Sequence, residues 1–540
     1  MPQDVRRAPA IADRGMNSAP RNQRWFGYYL VATTVLCGAL VMVIEVLGSR
    51  VLGPFFGVSL FVWTSLITVT LVALAAGYAI GGRWSDRHDS PDWLYLILLA
   101  AGLLVLLVPW LKPLVLKAAI PLGLRWGALA SALLLFGPAL FLLGCVSPYV
   151  IKLAAREMQH LGKTVGAYYA ASTAGSVAGT IVTGFFLIPY LGVDRIFWLS
   201  GALLLALGAA YFALWRGKWL ALAAFLPLMA LPPASLPQAT LPGGTRASVV
   251  HSRDSFYGNL KVVEYRYGAK RTRELVIDGL VQGGIDLANA LSVYEYPYLL
   301  QALPVAMHAE GRRCLVIGLG AGIIPRWYQA RGIATDVVDI DPDVVALAQK
   351  YFGLDQRTRV FVEDARAFLG RGFDRYDYLI LDVFNGDTTP GHLLSLEAMR
   401  LAKARLNDQG VVAINLIGSL GEHALMTHSV INTLRAVFSN VVIYPLFPPG
   451  EGDAAGNLVL IAYDGEPRSP DAGELERLAI HPMAETVARH ALHHPLHLPG
   501  ALPGAILTDD YNPIDVRDLW LKEWVRRNIL ASTHLDILLR

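Results

Sequence analysis

Long apolar runs in the first half of the chain constrain its fold more than any other feature. A helix needs roughly 20 apolar residues to cross a bilayer, and several of these runs reach that length. They occupy residues 27–47, 59–80, 93–110, 127–145, 165–188 and 197–214. A seventh run, residues 219–231, is short and interrupted by Pro227, so it either spans or lies at the interface. The sequence therefore predicts a multi-span α-helical membrane domain over residues 25–235, with the lipid bilayer as its partner.

The composition separates two environments within the 540 residues. Apolar residues make up 54% of the chain and charged residues only 16%, whereas about a quarter of the residues in a soluble globular protein are charged. Charges are scarce between about residues 25 and 233 and ordinary after residue 251. This contrast predicts at least two domains. The net charge of +3 is too small to indicate a nucleic-acid partner, and no basic stripe with interleaved aromatic residues is present in the sequence.

Neither the cysteines nor the histidines predict a metal site or a disulfide framework. The three cysteines, Cys37, Cys145 and Cys314, lie far apart in the sequence. A histidine cluster near the carboxy terminus is interrupted by Pro495 and has no acidic partner at helical spacing. This cluster consists of His490, His493, His494 and His497.

Basic residues in the short loops predict the orientation, because cytoplasmic loops carry an excess of Lys and Arg. The amino-terminal segment, residues 1–24, and alternate loops are the richer in basic residues: Arg6, Arg7, Arg14, Arg21, Arg24, Arg83, Arg87, Lys152, Arg156, Lys163, Arg216 and Lys218. The intervening loops hold fewer: Arg50, Lys112, Lys117, Arg125 and Arg195. We therefore expect a multi-pass protein of the cell (inner) membrane with a cytoplasmic amino terminus. Six spans would place the carboxy-terminal half inside the cell, and seven would place it outside.

The second half of the chain is predicted to contain two soluble modules. Proline and glycine residues indicate a linker over residues 236–248. Residues 249–310 alternate with period two, and Asp278-Gly279 is a turn signal, which predicts a β-rich lead-in module with strands at 259–267 and 273–277. Residues 311–465 alternate buried strands with helices, which predicts an α/β Rossmann-like domain of the class I methyltransferase type. Residues 466–540 are expected to form a helical extension.

The α/β domain has a specific predicted order of elements. Helices are expected at residues 322–330 and 342–351. Parallel strands are expected at residues 314–317, 335–339, 360–363, 378–381 and 411–415. Residues 440–444 and 457–463 are expected to close the sheet as an antiparallel pair.

A glycine-rich loop and an acidic residue predict a nucleoside site in this domain. Gly318, Gly320 and Gly322 lie between the first strand and its helix. Glycines there let the backbone approach a ligand closely, and the helix amino terminus supplies free N–H groups. Asp339 ends the second strand, where a carboxylate can accept hydrogen bonds from ribose hydroxyls.

Two further acidic residues follow the next strands. Asp364 comes after the third strand, where a carboxylate can accept a hydrogen bond from an adenine amino group. Asp382 ends the fourth strand, where open α/β sheets place their ligands. The alternative for such residues is a surface cap or a turn. Asp341 and Asp343, beside Pro342, fit the start of a helix.

These residues resemble the spermidine synthase family of polyamine aminopropyltransferases. Residues 275–282, LVIDGLVQ, are similar to the family's lead-in motif LVLDGxxQ. The glycine loop follows in the family's order, and so do residues 338–341 (VDID), 363–365 (EDA) and 376–382 (YDYLILD). The resemblance covers about residues 249–463. The membrane half, with residues 507–513 (LTDDYNP), resembles the bacterial subgroup in which a multi-span domain is fused to the synthase.

The resemblance implies a donor, an acceptor and a role for each site residue. Decarboxylated S-adenosylmethionine would be the co-substrate, without a prosthetic group, and putrescine would be the acceptor. Asp382 would take the proton of the attacking amine. The glycine loop, Asp339, Asp364, Ala365, Pro390 and Gln282 would bind the donor. The amine channel would be lined by Tyr294, Tyr296 and Asn385, with Gln282 at its junction with the donor tail.

Several positions depart from the family pattern. Ala321 replaces an acidic residue of the glycine loop, and Asn385 replaces a carboxylate three residues after the catalytic aspartate, although Asp387 lies close. Asp339 stands where the family usually has glutamate. The nucleoside half of the site thus matches the family pattern more closely than the diamine half does.

Three functions follow from these observations. The first is aminopropyl transfer from the decarboxylated donor to putrescine. The second is S-adenosylmethionine-dependent methyl transfer to another amine. The third is a membrane transporter gated by a polyamine or nucleoside sensor, without catalysis. A cytoplasmic nucleoside donor would favour six or eight spans over seven, and the oligomeric state, a homo-oligomer included, stays open.

Overall fold

The computed structural model of the chain describes residues 23–57, 60–155, 161–230, 238–241, 243–384, 389–449, 454–514, 519–532 and 537. The predicted amino-terminal segment therefore lies almost entirely outside the described residues. Within them, an all-helical bundle precedes two β-sheets and their covering helices. The bundle and the sheets have separate hydrophobic cores.

The bundle consists of α-helices and three short non-α segments. The α-helices are α1 (Gln23–Phe56), α2 (Leu60–Arg87), α3 (Pro91–Ala119), α4 (Gly123–Leu135), α5 (Gly137–Ala154), α6 (Leu161–Val182), α7 (Ile188–Leu191) and α8 (Val193–Arg216). A 3-10 turn, Ile120–Leu122, joins α3 to α4, and a π-helical turn, Thr183–Leu187, joins α6 to α7. A second 3-10 segment, Trp219–Ala230, follows α8.

Six stretches among the described residues are long and apolar enough to cross a membrane: Trp25–Phe56, Leu60–Arg87, Pro91–Leu135, Gly137–Ala154, Leu161–Leu191 and Val193–Arg216. All six predicted apolar runs are therefore helical. The helices extend beyond the predicted runs because they continue through polar residues at their ends. Ser90, for example, accepts a hydrogen bond from the backbone N–H of Asp92 and so caps the start of α3.

Glycines set the distance between α1 and α6. A Cβ atom on Gly179 would lie 2.5 Å from the carbonyl oxygen of Ala39, and Gly175 faces Val35 in the same way. Ser176 donates a hydrogen bond to the carbonyl oxygen of Gly38 at 3.0 Å. Small residues at this spacing allow two helix backbones to approach closely in an apolar environment.

An antiparallel five-stranded sheet forms the lead-in module. Its strands are β1 (Gln238–Thr240), β2 (Arg246–Asp254), β3 (Asn259–Tyr267), β4 (Lys270–Ile277) and β5 (Leu280–Asp286), in that spatial order. The predicted strands 259–267 and 273–277 are confirmed. Asp278 and Gly279 link β4 to β5 with φ angles of 47° and 82°, which confirms the predicted turn. Two positive φ angles are typical of a type I′ hairpin.

The predicted linker over residues 236–248 is wrong in part. Strand β1 and the start of β2 lie within it, and Ala239 pairs with Ala247 across a turn at Gly243 and Gly244. The pairing extends the sheet by an edge strand, which the abundance of proline and glycine concealed. The end of the predicted lead-in module, residues 249–310, also differs, because Tyr296–Met307 forms helix α9 and packs into the core of the second sheet.

The second sheet has seven strands in the order β11-β12-β10-β9-β6-β7-β8. Its strands are β6 (Arg313–Ile317), β7 (Ala334–Asp339), β8 (Arg359–Val362), β9 (Tyr376–Leu381), β10 (Leu406–Ser419), β11 (Asn440–Pro445) and β12 (Ala455–Tyr463). Neighbours among β6 to β10 are parallel, and β12 is antiparallel to β10 and β11. The predicted parallel strands and the closing antiparallel pair are confirmed.

Helices cover both faces of this sheet, as the α/β Rossmann-like prediction requires. They are α10 (Ile323–Ala330), α11 (Pro342–Tyr351), α12 (Ala365–Arg371), α13 (Leu396–Ala404), α14 (Leu425–Arg435), α15 (Ala472–Glu476) and α16 (Glu485–His493). With α9, helices α10, α11, α15 and α16 enclose one core, and α12, α13 and α14 enclose the other. Among its described residues, the predicted helical extension, residues 466–540, contains the helices α15, α16 and α17 (Leu519–Ser532), with non-helical segments between them.

The carboxy-terminal helix α17 joins the bundle to the sheets. Arg526 is fully buried and donates hydrogen bonds to the carbonyl oxygens of Pro54 in α1 and Asp278 in the β4–β5 turn, at 2.9 and 3.0 Å. Apolar residues of α17 pack with Leu280 and Ala455. One side chain therefore contacts the end of a bundle helix and the turn that precedes Gln282.

Candidate active site

The carboxyl ends of β6, β7 and β9 meet at one edge of the seven-stranded sheet. Ile317 pairs with Val338 on one side and with Leu381 on the other, so the residues that follow these strands lie level with each other. The backbone N–H of Asp382 donates to the carbonyl oxygen of Ile317 at 2.9 Å. Parallel strands of open sheets place ligands at this edge. The sheet thus brings the glycine loop, Asp339 and Asp382 together.

The glycine loop can hold only glycine at two of its positions. A Cβ atom on Gly318, where φ is +88°, would collide with the backbone of Asp382. A Cβ atom on Gly320, where φ is +51°, would lie 2.8 Å from the carbonyl oxygen of Gln282. Left-handed φ angles and such close approaches are tolerated by glycine alone. Gly322 then begins α10, so the first N–H groups of that helix point toward the sheet edge.

Asp339 lies at the centre of this edge. Its carboxylate accepts hydrogen bonds from the backbone N–H groups of Leu319 and Asp341, at 2.8 and 2.9 Å. Burial raises the pKa of Asp339 to about 6, and these hydrogen bonds partly oppose the shift. A carboxylate has about four lone-pair directions, so lone pairs stay available for ligand hydroxyls.

Asp382 is held by two asparagines that sequence reasoning missed. Asn415 in β10 donates to Asp382 Oδ1 at 2.8 Å, and Asn457 in β12 donates to Asn415 Oδ1 at 2.9 Å. Burial raises the pKa of Asp382 to about 6, and the hydrogen bond from Asn415 opposes the shift. A carboxylate with a pKa near 6 is ionised at neutral pH yet accepts a proton more readily than an ordinary aspartate. Asn415 could have been singled out as a polar residue in an otherwise apolar strand.

Asp364 and its neighbours form the next part of the same edge. Asp364 Oδ1 accepts a hydrogen bond from the backbone N–H of Ala367 and so caps α12, while Oδ2 lies 3.5 Å from His392 Nε2. Ala365 is the buried first residue of α12, and Pro390 precedes the short 3-10 turn that carries His392. An adenine-binding role for Asp364, Ala365 and Pro390 stays a prediction.

Asp341 has the structural role that the sequence predicted. It caps the start of α11 by accepting from the backbone N–H of Asp343 at 2.9 Å. Its second oxygen accepts a hydrogen bond from the hydroxyl of Ser255 at 2.6 Å. Asp341 therefore fixes the lead-in module against the sheet edge.

The lead-in module contributes an aromatic wall beside Asp382. The hydroxyl of Tyr296 donates to the carbonyl oxygen of Gln282 at 3.3 Å. Burial, and then the negative charge of Asp382, raise the pKa of Tyr296. Tyr294 donates instead to Glu274 Oε1 at 2.7 Å, and sequence reasoning missed that carboxylate. Asn385 and Asp387 lie outside the described residues.

Metal ligands do not converge anywhere in the described part of the chain, where no three or more His, Cys, Asp or Glu side chains come together. His490 and His494 of the carboxy-terminal cluster stack on each other with ring centroids 4.1 Å apart.

The fold and the row of carboxylates at one sheet edge define a class I methyltransferase-type transferase domain. Residues 293–449 match the family model described as the spermine/spermidine synthase domain. This match includes the glycine loop, Asp339, Asp364 and Asp382. Over this domain the chain is similar to the spermine/spermidine synthase family.

Three relatives illustrate the range of similar proteins. The N-terminal histidine N-methyltransferase of Emericella nidulans is 38% identical over 133 residues, which cover 24% of this chain and 24% of that protein. The polyamine aminopropyltransferase of Vibrio vulnificus is 26% identical over 233 residues, 41% of this chain and 75% of that protein. Polyamine aminopropyltransferase 2 of Aquifex aeolicus is 23% identical over 379 residues, 65% of this chain and 71% of that protein.

The extent of these matches differs along the chain. The chain spans about a quarter of the length of the Emericella relative and about three quarters of the Vibrio relative. The match to the Aquifex protein covers 65% of the chain, so it extends beyond the carboxy-terminal half.

Proposed function

We propose that the carboxy-terminal half transfers an aminopropyl group from decarboxylated S-adenosylmethionine to putrescine, giving spermidine and methylthioadenosine. The observation that carries the proposal is Asp382, a half-buried carboxylate beside the glycine loop, held at 2.8 Å by Asn415. The match of residues 293–449 to the spermine/spermidine synthase domain supports aminopropyl transfer. The identities of the two substrates, putrescine and the decarboxylated donor, go beyond what the family match supports and are part of the proposal.

The reaction needs an acceptor for one proton. The amine nitrogen attacks the aminopropyl carbon next to the sulfonium, the carbon–sulfur bond breaks, and its electron pair neutralises the sulfur. Because the substrate amine is an ammonium near neutral pH, Asp382 as general base takes one proton from it, which frees the nitrogen lone pair for this attack. A carboxylate also attracts the cationic amine before it reacts. In-line placement of the two substrates supplies a further part of the rate increase.

The donor would extend along the sheet edge. Asp339 would accept hydrogen bonds from the ribose hydroxyls, while Asp364, Ala365 and Pro390 would surround the adenine. Gly318, Gly320 and Gly322 would let the backbone approach the nucleoside. Gln282, Tyr294, Tyr296 and Asn385 would line the donor tail and the amine channel.

Methyl transfer to an amine is the second candidate. The relative with the highest of the three identities is named a histidine N-methyltransferase, over 133 residues. Ala321 also lacks the carboxylate that the synthase family places in the glycine loop. A methyltransferase would use the carboxylated donor and release S-adenosylhomocysteine, so the two candidates differ in both substrate and product.

We expect membranes that contain the protein to form equal amounts of spermidine and methylthioadenosine from the decarboxylated donor and putrescine. Mass spectrometry of the products provides the measurement, with each donor supplied separately. Methylated amine from the carboxylated donor alone would contradict aminopropyl transfer and favour methyl transfer. Absence of turnover with both donors would contradict both enzymes and favour the sensor-transporter alternative.

The helical bundle is proposed to lie in the cell (inner) membrane as a multi-pass domain. Six stretches with mean hydropathies from 1.5 to 2.6 support this location. The bilayer would then be its partner, and the small-residue contact between α1 and α6 suits an apolar environment.

A further inference from the structure

Glu274 is a carboxylate of the lead-in module without a cationic partner. The Tyr294 hydroxyl donates to Glu274 Oε1 at 2.7 Å, and Tyr265 also hydrogen-bonds to Glu274. Among the described residues no Lys, Arg or His forms an ion pair with it. Burial raises the pKa of Glu274, and the two tyrosine hydrogen bonds oppose the shift. A half-buried carboxylate held by neutral donors keeps lone pairs and charge available for a cation.

Three other acidic residues of the same module already have charged or backbone partners. Glu264 forms ion pairs with Arg271 and Arg273, at 3.2 and 2.5 Å. Asp286 lies 3.1 Å from His481 Nε2, and Asp278 accepts from the backbone N–H of Asn259 at 2.9 Å. Among the described residues, Glu274 differs from these three carboxylates because its hydrogen-bond partners are the hydroxyls of Tyr294 and Tyr265.

The position of Glu274 connects it to the candidate active site. Glu274 pairs with Gly284 across β4 and β5, and a Cβ atom on Gly284 would lie 2.8 Å from Glu274 Cγ. The preceding Gly283 contacts Ala321 of the glycine loop, where a Cβ atom would lie 3.2 Å from Ala321 Cβ. Because Gly283 and Gly284 have no side chains, β5 fits between Glu274 and the glycine loop.

The two tyrosines continue from Glu274 toward Asp382. Tyr294 lies two residues before Tyr296, the first residue of α9. Tyr296 contributes to raising the pKa of Tyr294, after burial and the charge of Glu274. Tyr296 lies in the field of Asp382 and donates to the carbonyl oxygen of Gln282. The side chains of Glu274, Tyr294, Tyr296 and Asp382 are all half-buried.

We propose that Glu274, oriented by Tyr294 and Tyr265, binds a primary ammonium group of a substrate at the end of the channel away from Asp382. This inference rests on the proposed aminopropyl transfer. The ammonium belongs either to the far end of a diamine acceptor or to the aminopropyl arm of the donor. Both present the same chemistry to a carboxylate, and kinetics with matched amines separates them.

Glu274→Gln tests this role, because it removes the charge and keeps an oxygen for the tyrosine hydroxyls. Putrescine and butylamine have the same carbon chain and differ in one ammonium group. Loss of one charge-assisted hydrogen bond predicts that the preference in kcat/KM for putrescine over butylamine falls by about 10- to 100-fold. If the donor's ammonium is bound instead, the KM for the donor rises by that factor and the preference stays unchanged.

Glu264→Gln serves as the matched control, because it removes a carboxylate of the same module that is already paired with arginines. It is expected to leave both the amine preference and the donor KM unchanged. An unchanged preference and donor KM in Glu274→Gln would overturn the inference. Calorimetric binding of putrescine to the wild-type protein and to Glu274→Gln separates this failure from a failure of the proposed reaction, since it needs no turnover.

The two ends of the helical bundle provide an independent observation. At one end the bundle contacts the soluble half: Arg50 donates to the carbonyl oxygen of Phe256 at 2.5 Å, and the N–H of Val193 donates to Asp254 at 3.0 Å. Arg526 reaches Pro54 at this end. The ends of α1 and α3 and the starts of α2, α4 and α8 therefore lie beside the sheets.

The opposite bundle end holds a different set of ion pairs. Lys152 in α5 lies 2.7 Å from Asp89, and Arg216 at the end of α8 lies 2.6 Å from Asp92. Helix α1 begins at this end. The 3-10 segment Trp219–Ala230 follows α8 at this end and contacts it. At about 2 Å per residue it is long enough to cross most of a hydrocarbon layer.

We infer that the start of α1 and the soluble half lie on opposite faces of the bilayer, with residues 219–230 as the returning seventh pass. The odd number of passes differs from the six or eight that donor chemistry favoured. A cytoplasmic amino terminus and a cytoplasmic active site then exclude each other.

Single cysteines test this topology, since Cys37, Cys145 and Cys314 are buried. His88→Cys places a thiol at the exposed α2–α3 loop, and Lys270→Cys places one at the exposed β3–β4 turn. A membrane-impermeant maleimide is expected to label one of the two in spheroplasts and both after permeabilisation. Labelling of both, or of neither, in spheroplasts would overturn the inference.

Discussion

Replacement of Asp382 by asparagine is expected to lower kcat for aminopropyl transfer by about 10²- to 10⁴-fold, the usual contribution of a positioned general base. Asparagine has the same shape, and its side-chain oxygen can still accept the 2.8 Å hydrogen bond from Asn415. The loss would therefore come from the missing proton acceptor. Initial rates of methylthioadenosine release at saturating donor and putrescine provide the measurement.

Asp377→Asn is the matched control, because Asp377 lies in the same strand at the opposite edge of the sheet, where it accepts from the backbone N–H groups of Arg312 and Arg313. It is expected to keep kcat near the wild-type value. The wild-type kcat should fall as the pH drops through about 6, since protonated Asp382 cannot act as a base. More than a tenth of wild-type kcat in Asp382→Asn would exclude Asp382 as the base.

The seven-stranded sheet was predictable from the sequence because its strands are short apolar runs that end at polar residues. Residues 335–339 were expected as a strand, and β7 is Ala334–Asp339. The carboxylates at the strand ends could be singled out for the same reason, since an acidic residue ends a buried run. Helices such as α12 and α13 escaped because their short amphipathic patterns are interrupted by loops.

The partners of Asp382 depend on strand register, which a single sequence does not supply. Asn415 reaches Asp382 because β9 and β10 are parallel, with Leu381 beside Ile414. Asn457 reaches Asn415 because β12 returns antiparallel and brings the two into the same region. Glu274 likewise meets Tyr294 only after the β4–β5 hairpin folds back. These are contacts between distant segments, and local pattern carries no signal for them.

The path of the chain through the bundle depends on tertiary contacts as well. Hydropathy identified the six apolar helices. The apolar run at residues 219–231 is short and interrupted by Pro227, so hydropathy could not decide whether it spans the membrane. Their direction follows from where the chain next folds, at β1 and β2, and from the burial of Arg526 between α1 and the β4–β5 turn. A side chain that donates to two backbone carbonyls of different segments leaves no pattern in the sequence.

Replacement of Asp339 by asparagine is expected to weaken nucleoside binding by about 10²-fold, because it removes charge-assisted hydrogen bonds worth about 1.5–3 kcal/mol each. The new amide N–H₂ would also face one of the backbone N–H groups of Leu319 and Asp341, which the carboxylate now accepts at 2.8 and 2.9 Å. Calorimetric binding of methylthioadenosine measures the effect without turnover.

Asp339→Glu is the informative control, because glutamate is the residue that the synthase family usually has at this position. It keeps the charge and is expected to bind methylthioadenosine within a few-fold of the wild type. Wild-type binding should weaken as the pH falls through about 6, since protonation removes acceptor capacity from Asp339, and Asp339→Asn should lose this dependence. Equal affinity of the wild type and Asp339→Asn would place the ribose elsewhere on the sheet edge and would leave the Asp339 carboxylate with a structural role, as the acceptor for the backbone N–H groups of Leu319 and Asp341.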